Sequence, residues 1–168
     1  CCQRAMAEAA KDLKPGDVVV LCEGDLTFSG KDVKKFLAYL ENSDMVLGTR
    51  ATQELREQDT QMDWLINPAN QLVAKILQTR FWGTRLTDMG CTYRAMRFDA
   101  YQRVKHNFTV KGNHFSPHMV IEVLKLHMRL IEIPIVFRKR GGLSKGVGSN
   151  KIKAAFVAID MLKLIYRA

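Results

Sequence analysis

Residues 18–25 have the sequence VVVLCEGD, a continuous apolar run followed by a turn that contains Glu23 and Asp25. An apolar, β-branched run of this length is typical of a strand that is buried on both faces. Such a strand needs helices packed on either side of it, as in a largely parallel α/β sheet. The stretch therefore predicts an α/β fold with two carboxylates at the carboxyl end of a buried strand.

The segments around this strand alternate between helical and strand patterns. Residues 5–13 predict a short helix, the apolar spacing from Val33 to Leu40 predicts a second helix, and residues 45–48 predict a second strand. Further helices are predicted at 67–80 with Asn67 as N-cap, at 99–104 with Asp99 as cap and at 119–128. Further strands are predicted at 90–97 and at 130–137, where Pro134 indicates a sheet edge or a bulge.

The composition excludes several classes of protein. The chain has 168 residues, 47% of them hydrophobic and 26% charged, which fits one globular domain. No apolar run approaches the ~18 to 20 residues that a membrane-spanning helix needs. The four cysteines have neither disulfide-framework nor metal-ligand spacing. We therefore expect a globular protein of a reducing, cytoplasmic compartment.

The net charge of +9 is concentrated in the second half of the chain. Residues 1–92 carry 11 Lys and Arg against 13 Asp and Glu, so residues 93–168 carry the remaining 15 against 4. Such a positive field favours a phosphate-bearing partner. Nucleic acid, an anionic membrane surface and a nucleoside diphosphate all remain open on composition alone.

The acidic turn is the first candidate site. In an open α/β sheet, ligands bind beyond the carboxyl ends of the strands, and the carboxylates of Glu23 and Asp25 can converge there on Mg²⁺ or Mn²⁺ bridged to a diphosphate. The alternative is that these acidic residues only cap the turn.

The segment 138–150, RKRGGLSKGVGSN, is the second candidate site. Arg138 offers planar donors to phosphate, Lys145 offers a mobile charge, and two adjacent glycines would let the loop close over a ligand. The alternative is a solvated basic loop.

The chain ends in a predicted amphipathic helix at 152–167. Its apolar face holds Ile152, Phe156, Ile159, Leu162 and Tyr166, and its other face is largely charged. The helix either packs on its own domain or presents this face to a partner helix or a membrane surface.

Five ordered segments resemble the motifs of the family 2 glycosyltransferases, most closely the polyprenyl-phosphate (dolichol-phosphate) mannose or glucose synthases. The segments are 18–28 (VVVLCEGDLTF), 44–50 (DMVLGTR), 88–94 (DMGCTYR), 132–135 (EIPI) and Arg138 with 141–145 (GGLSK). The resemblance implies a GT-A fold, a three-layer α/β/α sandwich with a mostly parallel mixed sheet. It also implies a nucleotide-sugar donor, a divalent cation and inversion at the anomeric carbon.

The resemblance covers roughly residues 1–165 and implies one catalytic domain that lacks its N-terminal part, since the family's P-x-x-N-E segment has no counterpart here. The implied divisions of the domain 1–168 are a metal and donor half (1–50), a mobile segment (51–66), an acceptor half (67–137), a basic closing loop (138–150) and a C-terminal amphipathic helix (151–168).

The family's site residues carry over position by position. Glu23 and Asp25 match its metal-binding D-x-D motif. The resemblance implies donor binding by Glu23, Asp25, Arg138, Ser144 and Lys145, catalytic roles for Asp25, Arg138 and Lys145, and acceptor binding by Arg50, Asp88, Arg94 and His118. Thr92 replaces a glycine of the D-x-x-x-G-F-R motif.

His118 stands where the family usually has a glutamate, and no Glu-Asp pair follows it. A sugar hydroxyl needs a base to remove its proton, whereas a lipid phosphate is already ionised near pH 7. The missing base favours a phosphate acceptor. His118 itself remains open as an acceptor contact, a base or a structural residue.

We therefore expect a glycosyltransferase that moves a hexose or N-acetylhexosamine from a nucleoside diphosphate sugar to a polyprenyl (dolichyl or undecaprenyl) phosphate. Its basic second half would lie against the cytoplasmic face of a membrane, and no nucleic-acid partner is expected. The alternatives are a sugar-nucleotide pyrophosphorylase and a basic module that binds nucleic acid or membrane without catalysis.

Overall fold

The computed structural model describes residues 2–57, 66–82, 84–112, 114–141, 159–163 and 165–166. Side chains are described throughout these ranges except at 66–70. The helices are α1 (Cys2–Ala9), α2 (Val33–Leu40), α3 (Ile66–Arg80), α4 (Phe98–Val104) and α5 (Phe115–Lys125), and the strands are β1 (Val18–Leu21), β2 (Met45–Thr49), β3 (Arg94–Arg97) and β4 (Leu130–Pro134). Residues 159–163 and 165–166 are also helical.

The four strands form one mixed sheet in the order β1-β3-β2-β4. Strand β3 is antiparallel to both of its neighbours, and β2 is parallel to β4. Strands β1, β2 and β4 therefore point the same way, and their carboxyl ends meet at one edge of the sheet. The predicted α/β class with a mixed sheet is confirmed, but two of the three described strand pairings are antiparallel, so the expectation of mostly parallel pairing is wrong. The GT-A fold remains a prediction.

The position of β1 differs from the sequence-based expectation. Within the described residues β1 pairs only with β3, so it is an edge strand. Val19 is buried, but Val20 on the other side of the strand is 37% exposed. The expectation of burial on both faces is wrong, because an apolar run does not reveal whether other elements cover both faces of its strand.

Two hydrophobic clusters cover the two faces of the sheet. Met45 and Leu47 of β2 belong to the larger cluster, which includes side chains of α1, α3, α4 and α5. Val46, which points the opposite way, belongs to the second cluster with Phe36 and Leu40 of α2. The described chain is therefore layered as helix, sheet and helix.

Several element ends differ from their predicted positions. The strand predicted from residue 90 begins at Arg94, and the helix predicted from Met119 begins at Phe115, so Pro117 lies in its first turn, where proline is tolerated. Asp99 is not the cap of α4, because Arg97 occupies that position. Helix α3 begins at Ile66, one residue before the predicted N-cap Asn67. Pro134 does lie in an edge strand, β4, as predicted.

The described part of the terminal helix buries a face that was not expected. Met161 and Ile165 are buried, whereas Ile159, Leu162 and Tyr166 of the predicted apolar face are exposed. Among the described residues, no helix is both long and apolar enough to cross a lipid bilayer. The predicted mobile segment beyond residue 57, the basic loop beyond residue 141, and Ile152 and Phe156 lie outside the described residues.

Candidate functional site

The acidic turn lies directly after β1, at the carboxyl edge of the sheet. Asp25 is fixed by its neighbour Thr27, whose backbone N–H and hydroxyl both donate to Asp25 Oδ1, at 3.1 and 2.5 Å. Leu26 between them has a φ of 67°, the left-handed conformation that lets the chain fold back on the carboxylate. The turn therefore holds Asp25 in one orientation and leaves its second oxygen available.

That second oxygen contacts Arg140, a residue that sequence reasoning did not select. Arg140 Nε donates to Asp25 Oδ2 at 2.6 Å, and Arg140 Nη2 donates to Glu23 Oε2 at 3.1 Å. Burial acts to raise the pKa of Asp25, but the Thr27 hydrogen bonds and the Arg140 guanidinium together hold it below the ordinary value. One guanidinium thus bridges the two carboxylates that were predicted to bind a metal.

The backbone explains why Arg140 reaches this position. Arg138 N–H donates to the Thr27 carbonyl at 2.8 Å, and Gly141 N–H donates to the Asp25 carbonyl at 3.2 Å. The segment 138–141 therefore runs beside the acidic turn. Arg138 itself turns away, with its Nε 3.9 Å from Glu57 Oε1.

The pair Glu23 and Asp25 fits a divalent cation of the kind that is bound together with a phosphate ligand. Mg²⁺ is usually held by one or two carboxylates and completed by substrate phosphates and water. The guanidinium between the carboxylates shows that they face a shared position suited to positive charge. Within the described residues, no group of three or more His, Cys, Asp or Glu could form an all-protein metal site.

Thr92 links the acidic turn to the loop before β3. Its hydroxyl donates to Glu23 Oε1 at 2.8 Å, so Glu23 is held between Thr92 and Arg140. A cavity of about 120 Å³ opens here at the end of β1, lined by Leu21, Glu23, Thr92, Arg94, Phe115 and Met119 among others. Thr92 is thus part of the site.

Arg50 and Asp88 form a buried ion pair at the carboxyl end of β2. Arg50 Nε and Nη2 donate to the two Asp88 oxygens at 2.7 and 2.8 Å, and Arg50 N–H donates at 3.1 Å. Burial acts to raise the pKa of Asp88, but the Arg50 guanidinium outweighs it and lowers the pKa. The same pairing overcomes burial at Arg50 and raises its pKa.

Glu132 of β4 supports this ion pair from behind. Its carboxylate accepts hydrogen bonds from Asp88 N–H at 2.8 Å and from the Thr87 hydroxyl at 2.7 Å. Burial raises the pKa of Glu132. Three segments that are distant in the sequence, at 49–50, 87–90 and 132, therefore meet at one place beside the acidic turn.

Arg94 is a fully buried cation at the start of β3. Its Nη1 donates to the Ser116 carbonyl at 2.8 Å, and its Nη2 donates to the Cys91 carbonyl. Its Nε has no hydrogen-bond partner, and no carboxylate within the described chain forms an ion pair with it. Burial lowers its pKa to about 10. Arg94 thus ties the loop before β3 to the start of α5 and borders the cavity beside Glu23.

His118 lies inside the fold, on α5. Its Nε2 lies 3.1 Å from the Asn107 carbonyl and 3.3 Å from Thr109 N–H, and its Nδ1 lies 4.0 Å from Glu122 Oε1. Burial lowers its pKa. These contacts attach α5 to the loop at 107–109. The roles of His118 as a base or as an acceptor contact stay predictions.

The structure brings together part of the predicted site. Glu23 and Asp25 share one guanidinium, Arg50 and Asp88 share one ion pair, and Arg94 borders the cavity next to Glu23. Ser144 and Lys145 lie outside the described residues. Sequence reasoning missed Arg140, Thr87 and the contacts of Glu132. The run of three cations at 138–140 was a signal for a basic segment, but it did not distinguish Arg140 from its neighbours.

The fold and the site define an α/β domain in which an acidic turn and a basic segment meet at the carboxyl edge of the sheet, where ligands bind in open α/β folds.

The chain is similar to the undecaprenyl-phosphate mannosyltransferase of Micrococcus luteus, with 26% identity over 147 residues. The matched region covers 84% of this chain, and the chain spans 55% of the length of that relative. No protein-family model matches the chain.

Proposed function

We propose that this chain is part of a glycosyltransferase that moves a hexose or N-acetylhexosamine from a nucleoside diphosphate sugar to a polyprenyl phosphate. The observation that carries the proposal is the meeting of Glu23 and Asp25 with the basic segment 138–141. The two parts of this site suit a diphosphate donor. The carboxylates can hold a divalent cation that binds the diphosphate, and the arginines of the basic segment can bind its phosphates directly. The similarity to a polyprenyl-phosphate mannosyltransferase supports the same reaction class.

In this proposal Glu23 and Asp25 hold Mg²⁺ or Mn²⁺, which when bound offsets the charge on the leaving diphosphate. Thr27 and Thr92 orient the two carboxylates through their hydroxyls. Arg140 supplies positive charge from the neighbouring segment. Arg138, which pairs with Glu57 in this structure, and Ser144 and Lys145, which lie outside the described residues, remain proposed donor contacts. This arrangement places fixed positive charge where negative charge develops as the bond breaks.

The transfer itself is a single displacement. One oxygen of the polyprenyl phosphate attacks the anomeric carbon, its new C–O bond forms opposite the leaving group, and the nucleoside diphosphate departs with the electron pair of the broken bond. The configuration is inverted. No base is required, because a lipid phosphate is ionised near pH 7. Arg50, Asp88, Arg94 and His118 remain the proposed acceptor contacts, with Arg50 held in place by Asp88.

The experiment is a transfer assay with the full-length protein, radiolabelled UDP- and GDP-sugars, Mn²⁺ and undecaprenyl phosphate. The expected result is radiolabel in the organic phase with at least one donor, lost in Asp25→Ala and retained in Asp12→Ala, which changes an exposed aspartate outside the site. Full activity of Asp25→Ala would show that the site assignment is wrong. Pyrophosphate release from a nucleoside triphosphate and a sugar phosphate, without lipid labelling, would favour the pyrophosphorylase instead.

We also propose that the protein lies against the cytoplasmic face of a membrane, where its lipid substrate resides. Exposed apolar side chains lie just after α3 and in the terminal helix. Trp82 and Tyr166 are each 91% exposed, and Leu162 and Tyr166 line a groove of about 870 Å³ together with Arg80. Aromatic side chains beside cations are typical of surfaces that bind the headgroup region of an anionic bilayer.

Co-sedimentation with phosphatidylglycerol vesicles tests this second proposal. The double variant Trp82→Ala, Tyr166→Ala should bind less than the wild type, whereas Tyr39→Ala, which removes an exposed aromatic residue from α2, should bind equally. Equal binding by the double variant would refute this surface.

A further inference from the structure

Arg140 occupies the position between two carboxylates that the proposed function assigns to a divalent cation. We propose that Arg140 is an internal cation that competes with the divalent metal for Glu23 and Asp25, so that metal binding and the Arg140 ion pairs exclude each other. The inference rests on the proposed metal site. In this inference the ion pairs of Arg140 determine whether Glu23 and Asp25 are free to bind the metal.

The hydrogen bonds to the Glu23 and Asp25 carboxylates explain why Arg140 would compete with a metal. The guanidinium contacts one oxygen of each carboxylate, Asp25 Oδ2 at 2.6 Å and Glu23 Oε2 at 3.1 Å. The other oxygen of each carboxylate is held by a threonine hydroxyl, that of Thr27 or Thr92. All four oxygens are therefore engaged. Each oxygen keeps a second lone pair, but a metal that bridges both side chains needs the position between them that the guanidinium occupies, and the two cations would repel each other there.

Arg140 is also the partner that can leave. Its side chain is 27% exposed, and within the part of the chain that the structure describes its guanidinium contacts these two carboxylates. The backbone on either side of it is anchored through Arg138 N–H and Gly141 N–H to the acidic turn. The side chain can therefore rotate away while residue 140 stays beside the site.

Release of Arg140 leaves a cation with five N–H donors next to the metal position. A diphosphate bound at that metal would give the guanidinium a new anionic partner, because Arg pairs with phosphate as well as with carboxylate. The unliganded site should then bind metal weakly and the diphosphate-containing site should bind it strongly. By linkage, the metal should raise the affinity for the diphosphate by the same factor.

Mn²⁺ binding to the full-length protein, followed by electron paramagnetic resonance of the free ion, tests the competition without an activity assay. Arg140→Gln should bind Mn²⁺ about tenfold more tightly than the wild type in the absence of nucleotide, the factor expected when partly exposed ion pairs no longer compete. Arg129→Gln removes one charge from an exposed arginine that pairs with Asp44 and should leave the affinity unchanged.

Added UDP or GDP gives a second readout. It should raise the Mn²⁺ affinity of the wild type by a larger factor than that of Arg140→Gln, because only the wild type gains a released guanidinium. A purely structural role for Arg140 would not produce this difference. Arg140→Lys, which keeps the charge but cannot bridge both carboxylates as a planar fork, should bind Mn²⁺ with intermediate affinity and carries the test if Arg140→Gln does not fold.

Two results would overturn the inference in distinguishable ways. If Mn²⁺ binding is lost in Asp25→Asn but is no tighter in Arg140→Gln or Arg140→Lys than in the wild type, the metal site stands and the competition is refuted. If Asp25→Asn leaves Mn²⁺ binding intact in every background, the metal site of the proposed function is itself wrong, and the inference falls with it.

Discussion

The contacts of the buried Arg50–Asp88 ion pair predict how much stability the protein loses when one partner is removed. The Asp88 carboxylate accepts four hydrogen bonds, three from Arg50 and one from Gly90 N–H. Asp88→Asn leaves one acceptor oxygen and turns an NH₂ group toward these donors. Removing one partner of a buried pair costs about 3–5 kcal/mol, because the other charge stays buried without compensation. At about 2–4 °C per kcal/mol for a chain of this length, the melting temperature should fall by roughly 6–20 °C.

A double-mutant cycle measures this energy. Urea unfolding of the wild type, Asp88→Asn, Arg50→Gln and the double variant, followed by circular dichroism at pH 7, gives the four free energies. The double variant should cost about 1–3 kcal/mol less than the sum of the single variants, since the contacting residues are coupled.

The pH dependence of stability gives an independent check on the same pair. The folded-state pKa of Asp88 lies below its unfolded value, so its contribution is complete above the ordinary aspartate pKa of about 3.9 and is lost as the pH falls through the lower folded value. The difference in free energy of unfolding between the wild type and Asp88→Asn should therefore become smaller below about pH 4. The reasoning would be refuted if Asp88→Asn lowered the free energy of unfolding by less than about 1 kcal/mol at pH 7 and if the effects of the two single variants were additive. Contacting partners of a buried pair are expected to be coupled.

Two further predictions concern the packing around the site. Gly48→Ala would place a Cβ 2.8 Å from Ile135 Cδ1 and 3.0 Å from the Tyr93 carbonyl oxygen. It should lower the free energy of unfolding, measured in urea, by about 1–3 kcal/mol. As a control, Gly30→Ala adds a Cβ with no atom within 4 Å and should leave the stability nearly unchanged. Burial lowers the pKa of His118, which faces Glu122, Lys125 and His114, so the wild type should lose stability as the pH falls below about 6.5, where the unfolded chain takes up the proton first. His118→Gln should remove that part of the slope, and parallel pH profiles of the two proteins would contradict the assignment.

Local patterns in the sequence were enough to predict the main elements of the fold. The runs at 18–21 and 45–49 are strands, and the apolar spacing from Val33 to Leu40 is a helix, because these signals lie within a few neighbouring residues. The edge position of β1 and the antiparallel direction of β3 could not be predicted in this way. Both depend on pairing between residues far apart in the sequence, such as Val19 with Met96.

The site residues next to a strand could also be predicted, whereas those brought together by distant contacts could not. Glu23 and Asp25 were accessible to sequence reasoning because they directly follow a strand. The choice between Arg138 and Arg140 was not, since it depends on which backbone groups of 138–141 pair with Asp25 and Thr27. The described helical residues 159–163 and 165–166 turn Met161 and Ile165 inward, because the rotation of this segment is set by contacts with distant residues rather than by its own apolar periodicity.

The edge position of β1 has a consequence for handling the protein. In the described chain, the side of Val18–Leu21 away from β3 presents backbone N–H and C=O groups that no other strand pairs. Strand β4, at the opposite edge, ends at Pro134, which lacks an N–H. An unpaired apolar strand is a template onto which another strand can add. Concentrated preparations of these 168 residues should therefore associate through β1, and hydrogen exchange should detect slowed amides at 18–21 when they do.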